Sequence, residues 1–131
     1  MTRARAEYVP ADPMTARVFL DQADRFLADA EGMAPASVQI LCWQACISAM
    51  EAVLLMAGRR VSAGDGAHVL RLREAEKQID DDHSDLFERL NDHRELRHDV
   101  SYHAGVISEQ EAESTRRDAA EIVAIVRAML S

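Results

Sequence analysis

Between Pro35 and Ala57 the chain places apolar side chains around nearly the whole circumference of a helix. Val38, Leu41, Cys42, Ala45, Ile47, Ala49, Met50, Val53, Leu54 and Met56 leave no continuous polar face. A helix that is apolar all round is either central in its bundle or covered on a second side by a partner chain. Either arrangement demands other helices to surround it, which constrains the fold more than any other stretch does. Gln39, Gln44, Ser48 and Glu51 interrupt the run. It therefore reads as a core helix rather than a membrane span.

The remaining pattern supplies those partners. The 131 residues are enough for one domain with a single core. Only five glycines and three prolines punctuate them, and Ala, Leu, Glu, Arg and Met, all good helix formers, are plentiful. An all-α fold follows, a five-helix, four-helix-bundle-like up-and-down arrangement over residues 13–131, behind a flexible N-terminal arm over 1–12. The first helix begins near Asp12, with Pro13 in its opening turn. Its apolar stripe is Val18, Phe19, Ala23, Phe26, Leu27 and Ala30, and Gly32 stops it. After Gly58 comes a flexible connection to Gly66, then a third helix from Ala67 to Ile79. His68 opens that helix as a capping or packing residue, with a ligand role as the lesser alternative. The run Asp80-Asp81-Asp82-His83-Ser84-Asp85 lacks the alternating oxygens and central glycine of a calcium loop. It reads as a turn and the acidic N-terminus of the fourth helix. Ser108 and Glu111 form a capping box for the fifth helix, which runs to the C-terminus.

Charge and cysteine usage exclude several functions. The net charge of −8 argues against a broad electropositive face tracking nucleic acid, so any such contact must be local. Cys42 and Cys46 stack on one helix face as two reduced, buried thiols, and no further ligands stand at zinc spacing. No cofactor or metal is expected. The N-terminus lacks the apolar stretch of a signal peptide, so the chain is expected to be cytoplasmic. Trp43 reads as a packing residue rather than a ligand platform.

The chemistry concentrates in Arg94-Glu-Leu-Arg97-His98-Asp99-Val-Ser-Tyr102-His103. Two arginines, two histidines and a tyrosine fall within ten residues. Leu90 and Arg97, seven apart, share a helix face, so the arginine continues an apolar stripe. An arginine on a core-facing stripe needs either a partner or a cleft. Three plainer readings stand beside the functional one: Arg97 pairing with Asp92, Glu95 or an acid from another helix, His103 as a helix-terminal residue favoured by the macrodipole, and Tyr102 as a packing residue with its hydroxyl at the surface.

This order of helices, with Gly66-Ala-His68 opening the third and Arg97 separated from His103 by five residues, resembles the HEPN superfamily of small helical proteins. The resemblance covers roughly residues 13–131. It implies a metal-independent endoribonuclease, often a toxin or defence effector, with Arg97 and His103 as the catalytic pair. It also implies a homodimer whose two motifs face one cleft, acting on RNA or nucleotide, sometimes beside a nucleotidyltransferase-type antitoxin. Non-catalytic relatives act as nucleotide-, RNA- or partner-binding modules. Two departures bear on that choice: His98 stands where asparagine often follows the arginine, and Tyr102 precedes His103 rather than following it.

Under the ribonuclease reading, His103 transfers protons, since an unperturbed imidazole pKa of ~6.5 lies near working pH. Arg97 clamps the phosphate with its planar fork. Arg94, His98 and Tyr102 contact or orient the substrate. Six residues of continuous helix rotate by about 600°, which sets Arg97 and His103 about 120° apart. They meet within one chain only if the helix breaks before His103, and otherwise across a two-fold axis.

Overall fold

The computed structural model describes residues 2–103 and 106–131, and the side chains of all of these except 99–103. Helix α1 (Pro13–Asp29) is followed by α2 (Pro35–Met56), α3 (Ala67–Lys77), α4 (Ser84–His103) and α5 (Glu109–Leu130). The fold is an all-α five-helix bundle, to which two three-residue strands are added, β1 (Ala6–Tyr8) and β2 (Arg59–Val61).

Helix α2 is the axis of the bundle. It packs along α1 on one side and α5 on another, and α3 and α4 close what remains. Its buried residues, among them Cys42, Ala45, Cys46, Ala49, Met50 and Val53, point in all directions because a neighbour stands in each. Of the two explanations for its apolar circumference, a central position within one chain is therefore sufficient. The helix is long and apolar enough to cross a membrane, but most of its apolar window is buried against the other four helices. Burial pushes the Cys42 thiol up to about 11 and that of Cys46 higher still. Both thus remain protonated packing groups.

The helix ends follow local chemistry. Asp12 caps α1 by accepting from the Thr15 backbone N–H at 3.0 Å and the Thr15 hydroxyl at 2.6 Å. Ser108 and Glu111 make the reciprocal capping box of α5, at 3.0 and 2.9 Å. A 3-10 turn over Asp81–His83 leads directly into α4. The buried stripe of α1 is Ala16, Leu20 and Ala23, whereas Val18 is 54% exposed. Of the stripe that sequence spacing predicts, Ala23 and Ala30 are buried and Phe19, Phe26 and Leu27 pack against the core, so only Val18 departs from it.

The N-terminal arm and the 58–66 connection differ more from expectation. Where patterning predicts a loose arm and a flexible connection, β1 pairs antiparallel with β2, with Ala6 opposite Val61 and Tyr8 opposite Arg59. Further bonds join Ala4 to Asp65 and Val9 to Gly58, both at 2.9 Å. The glycines make this close approach feasible. A Cβ on Gly58 would sit 2.8 Å from the Val9 carbonyl oxygen, and one on Gly64 would collide with the Thr2 carbonyl. Their positive φ angles of 69° and 146° also favour glycine. The ribbon is fastened to α3 by Arg59, whose guanidinium lies 4.3 Å from the Tyr8 ring centroid and pairs with the buried Glu74. Lys77, at 2.6 Å, and then Arg59 hold the Glu74 carboxyl below the ordinary carboxylate range.

Candidate functional site

Helix α4 carries two polar clusters, one sealed and one open. The sealed one begins at His93, three residues beyond the fully buried Leu90 on the same stripe. Its Nε2 faces Asp118 Oδ2 at 2.7 Å, and because a carboxylate only accepts, Nε2 carries a proton and donates it. Its Nδ1 lies 3.1 Å from the hydroxyl of Thr115, which also lies 3.2 Å from the Glu111 carbonyl oxygen. Arg89 donates from Nε to both Asp118 oxygens, at 3.1 and 3.2 Å. Gln39 of α2 donates to the His93 carbonyl oxygen at 3.1 Å. Thr115 is wholly buried, and His93 and Asp118 are nearly so. This network clamps α4 onto α5 and α2 immediately before the arginines.

The open cluster is a cleft of about 240 Å³ among α2, α3 and α4. Trp43 and Ile47 of α2 form one wall, His68 of α3 another, and Arg94, Arg97 and His98 of α4 a third. Arg94 is held by Asn91 Oδ1 at 3.0 Å and lies 3.6 Å from Glu95. Among the described residues, Arg97 has no carboxylate within ion-pair distance, and no carboxylate lines the cleft. The pairings with Asp92 or Glu95 that its sequence neighbourhood offers are not made. Instead the half-buried arginine faces a cleft, the second of the two outcomes its stripe position allowed.

A larger groove, of about 460 Å³, opens on another face of α4, but Asp92, Glu95 and Glu111 line it against a single cation, Arg89, which is itself paired with Asp118. Three carboxylates repel phosphate, so volume is the wrong criterion here and charge selects the smaller cleft. Groups of three or more His, Cys, Asp or Glu side chains able to hold a metal do not occur among the described residues.

Of the five residues singled out from sequence, Arg94, Arg97 and His98 are thus brought together. The side chains of Tyr102 and His103 lie outside the described residues. The backbone of both belongs to α4, which continues without a break through His103. The break required for Arg97 and His103 to converge within one chain is therefore not present, and their helical positions stay about 120° apart.

Two residues enter the cleft that the motif did not contain. Trp43 is 3% exposed and so packs as expected, yet its edge meets the His68 ring with centroids 6.5 Å apart. His68 stands at the cleft rim rather than capping α3, whose N-cap residue is Gly66. Its Nδ1 lies 2.9 Å from Arg71 Nη1, and Arg71 Nε donates to Glu51 at 2.6 Å. Partial desolvation of the ring, then the charges of Arg71, Arg94 and Arg97, hold the His68 pKa below 6.5. The only sequence signal for this role was a histidine one turn before an arginine on the same helix face.

No protein-family model, curated protein or solved structure matches the chain. The likeness to the HEPN superfamily rests on helix order and on the motif within residues 94–103.

Proposed function

We propose that the protein binds the phosphate backbone of RNA in the Arg94–Arg97 cleft and cleaves it as a metal-independent, HEPN-type endoribonuclease acting in the cytoplasm. The observation that carries this reading is Arg97. A half-buried cation needs a counter-charge, and with no carboxylate among the described residues lining its cleft, a phosphate group supplies one. In the reaction, a 2′-hydroxyl gives up its proton and attacks the neighbouring phosphorus. The 5′-oxygen leaves with a proton, and a 2′,3′-cyclic phosphate remains. Arg97 clamps the phosphoryl oxygens as charge builds on them, and Arg94 adds a second contact. His103 transfers the proton, and His98 and Tyr102 orient the substrate.

The continuity of α4 gives this mechanism a quaternary condition. His103 acts beside the Arg97 of a second copy, in a homodimer with both motifs at one cleft. The same resemblance supports a role as a toxin or defence effector, held in check by a nucleotidyltransferase-type antitoxin. The continuity of α4 also favours a second reading, a catalytically silent module that binds nucleotide, RNA or a partner protein through the same arginines.

Single-stranded RNA incubated in EDTA separates the two. The ribonuclease is expected to cut it, and Arg97→Ala or His103→Ala to reduce cutting by at least about 100-fold with helical content unchanged. Cutting that both variants retain, or none by the native protein, removes the enzyme. Saturable binding that weakens in Arg97→Ala then supports the module. Sedimentation tests the shared cleft, because a 14.6 kDa monomer that cuts RNA rules out a composite site.

A further inference from the structure

We infer that His68 is a ligand-contacting residue of the cleft, where it donates a hydrogen bond as a neutral imidazole to the phosphodiester of a single nucleic-acid strand. The inference rests on the proposed phosphate-binding role of the cleft and adds to it a residue, a tautomer and a ligand class.

The argument starts from Glu51. Its carboxylate accepts from Arg71 Nε at 2.6 Å, which fixes the guanidinium between α2 and α3. Arg71 Nη1 then lies 2.9 Å from His68 Nδ1. A guanidinium has five donors and no acceptor, so Nδ1 must accept and cannot carry a proton. The ring proton is left on Nε2. Glu51, Arg71 and His68 form a relay that sets one tautomer, much as an outer carboxylate fixes the imidazole of a metal site. A second proton would bring an Nδ1–H against an Arg71 N–H, beside two further guanidiniums at Arg94 and Arg97. The Trp43 ring stands beside it in an edge arrangement, with centroids 6.5 Å apart. His68 is thereby suited to donating and unsuited to taking up a proton, which separates its role from that assigned to His103.

Charge and size name the ligand. Among the described residues no carboxylate pairs with Arg97, whereas Arg94 has Glu95 3.6 Å away. A neutral His68 adds a donor without adding charge. That balance suits the single negative charge of a phosphodiester. A volume of about 240 Å³ falls below the ~300–1,000 Å³ of pockets that enclose a whole small ligand. It accommodates a phosphate and its ester oxygens, with the flanking nucleosides outside.

The probe is a thymidine dinucleotide, which has one phosphodiester and no 2′-hydroxyl to attack, titrated calorimetrically at low salt and pH 7. His68→Ala is expected to weaken binding about ten-fold, the loss typical of one hydrogen bond to a charged group. His68→Gln, which keeps an N–H donor but cannot titrate, is expected to restore most of it. Long-range ¹H–¹⁵N spectra of the free protein are expected to show His68 protonated at Nε2, with its ring nitrogens shifting as the dinucleotide is added. Binding unchanged in His68→Ala overturns the inference, as does an Nδ1–H tautomer, or no binding by the native protein. Inorganic phosphate binding more tightly than the dinucleotide overturns the diester assignment. Failure of the two proposals is distinguishable. Normal dinucleotide binding by His68→Ala in a protein that cuts RNA removes only the role of His68. Binding that depends on His68 in a protein that leaves RNA intact removes only the ribonuclease.

Discussion

His93 and Arg97 are one helical turn apart on α4, yet their surroundings differ in almost every respect. His93 has a carboxylate on one ring nitrogen and a hydroxyl near the other, and 6% of it is exposed. Arg97 has no described carboxylate within reach and lines an open cleft. Both polar groups interrupt the apolar stripe begun by Leu86 and Leu90, and both therefore needed an explanation. A polar side chain whose partners come from its own chain holds the fold. One that finds no partner among the described residues and lines an open cleft is available to something else. The first cluster consequently positions the second, because the clamp on α5 and α2 fixes the helix that carries the arginines.

Mutations test this division, and the largest effect is expected in the sealed cluster. Asp118→Ala removes the acceptor for both His93 and Arg89 and is expected to cost about 3 kcal/mol, as breaking a buried pair does. Urea unfolding measures it, and a loss under about 0.5 kcal/mol would mean that the network carries no stability. Ser108→Ala removes the cap that starts α5 two turns before Thr115. A cost of about 1 kcal/mol is expected in the same unfolding experiment. An unchanged midpoint would show that tertiary packing alone fixes that end of the helix.

Arg97→Ala should shift stability by no more than about 0.5 kcal/mol, the range of ordinary surface changes, while reducing RNA binding or cutting. A thermal midpoint that falls as far as that of Asp118→Ala would erase the distinction between the clusters. The smallest effect concerns His68 and acid. Its pKa is lower in the folded protein than the ordinary 6.5, so below that pH the unfolded chain binds more protons. Stability should therefore decline as pH falls through 6.5 towards the folded pKa. His68→Gln should flatten that decline and leave stability above pH 7 unaltered. A parallel decline in both proteins would assign it to other groups.

How much of this was legible beforehand depended on the range of the interaction. Caps are local, so Asp12 before Pro13 and Ser108 before Glu111 could be read directly, and α2 announced its central place by having no polar face. On α1 the spacing identifies Phe19, Ala23, Phe26, Leu27 and Ala30, but takes Val18 in place of Leu20, because the two are equally apolar and only the neighbouring helices choose between them. The strand pair was missed because three residues carry no usable periodicity. The glycines at 58 and 64 signal a turn, but not that residues 2–9 pass over them. The cluster 94–103 marked Arg94, Arg97 and His98 as a group, while nothing in the spacing places His68, on a different helix, beside them.

The sequence by itself determined that this chain forms helices around Pro35–Met56 and places three of its five histidines, with Arg94 and Arg97, on the fourth of them. Those properties follow from periodicity and capping, which act over a few residues. Only the tertiary structure decided which polar groups are spent and which remain available. Gln39 reaches the carbonyl of His93 across 54 positions, Asp118 reaches its ring across 25, and none of the described carboxylates reaches Arg97. The difference between a clamp and a binding cleft is thus a matter of which acids the packing brings within about 3 Å of each group, the range over which hydrogen bonds form.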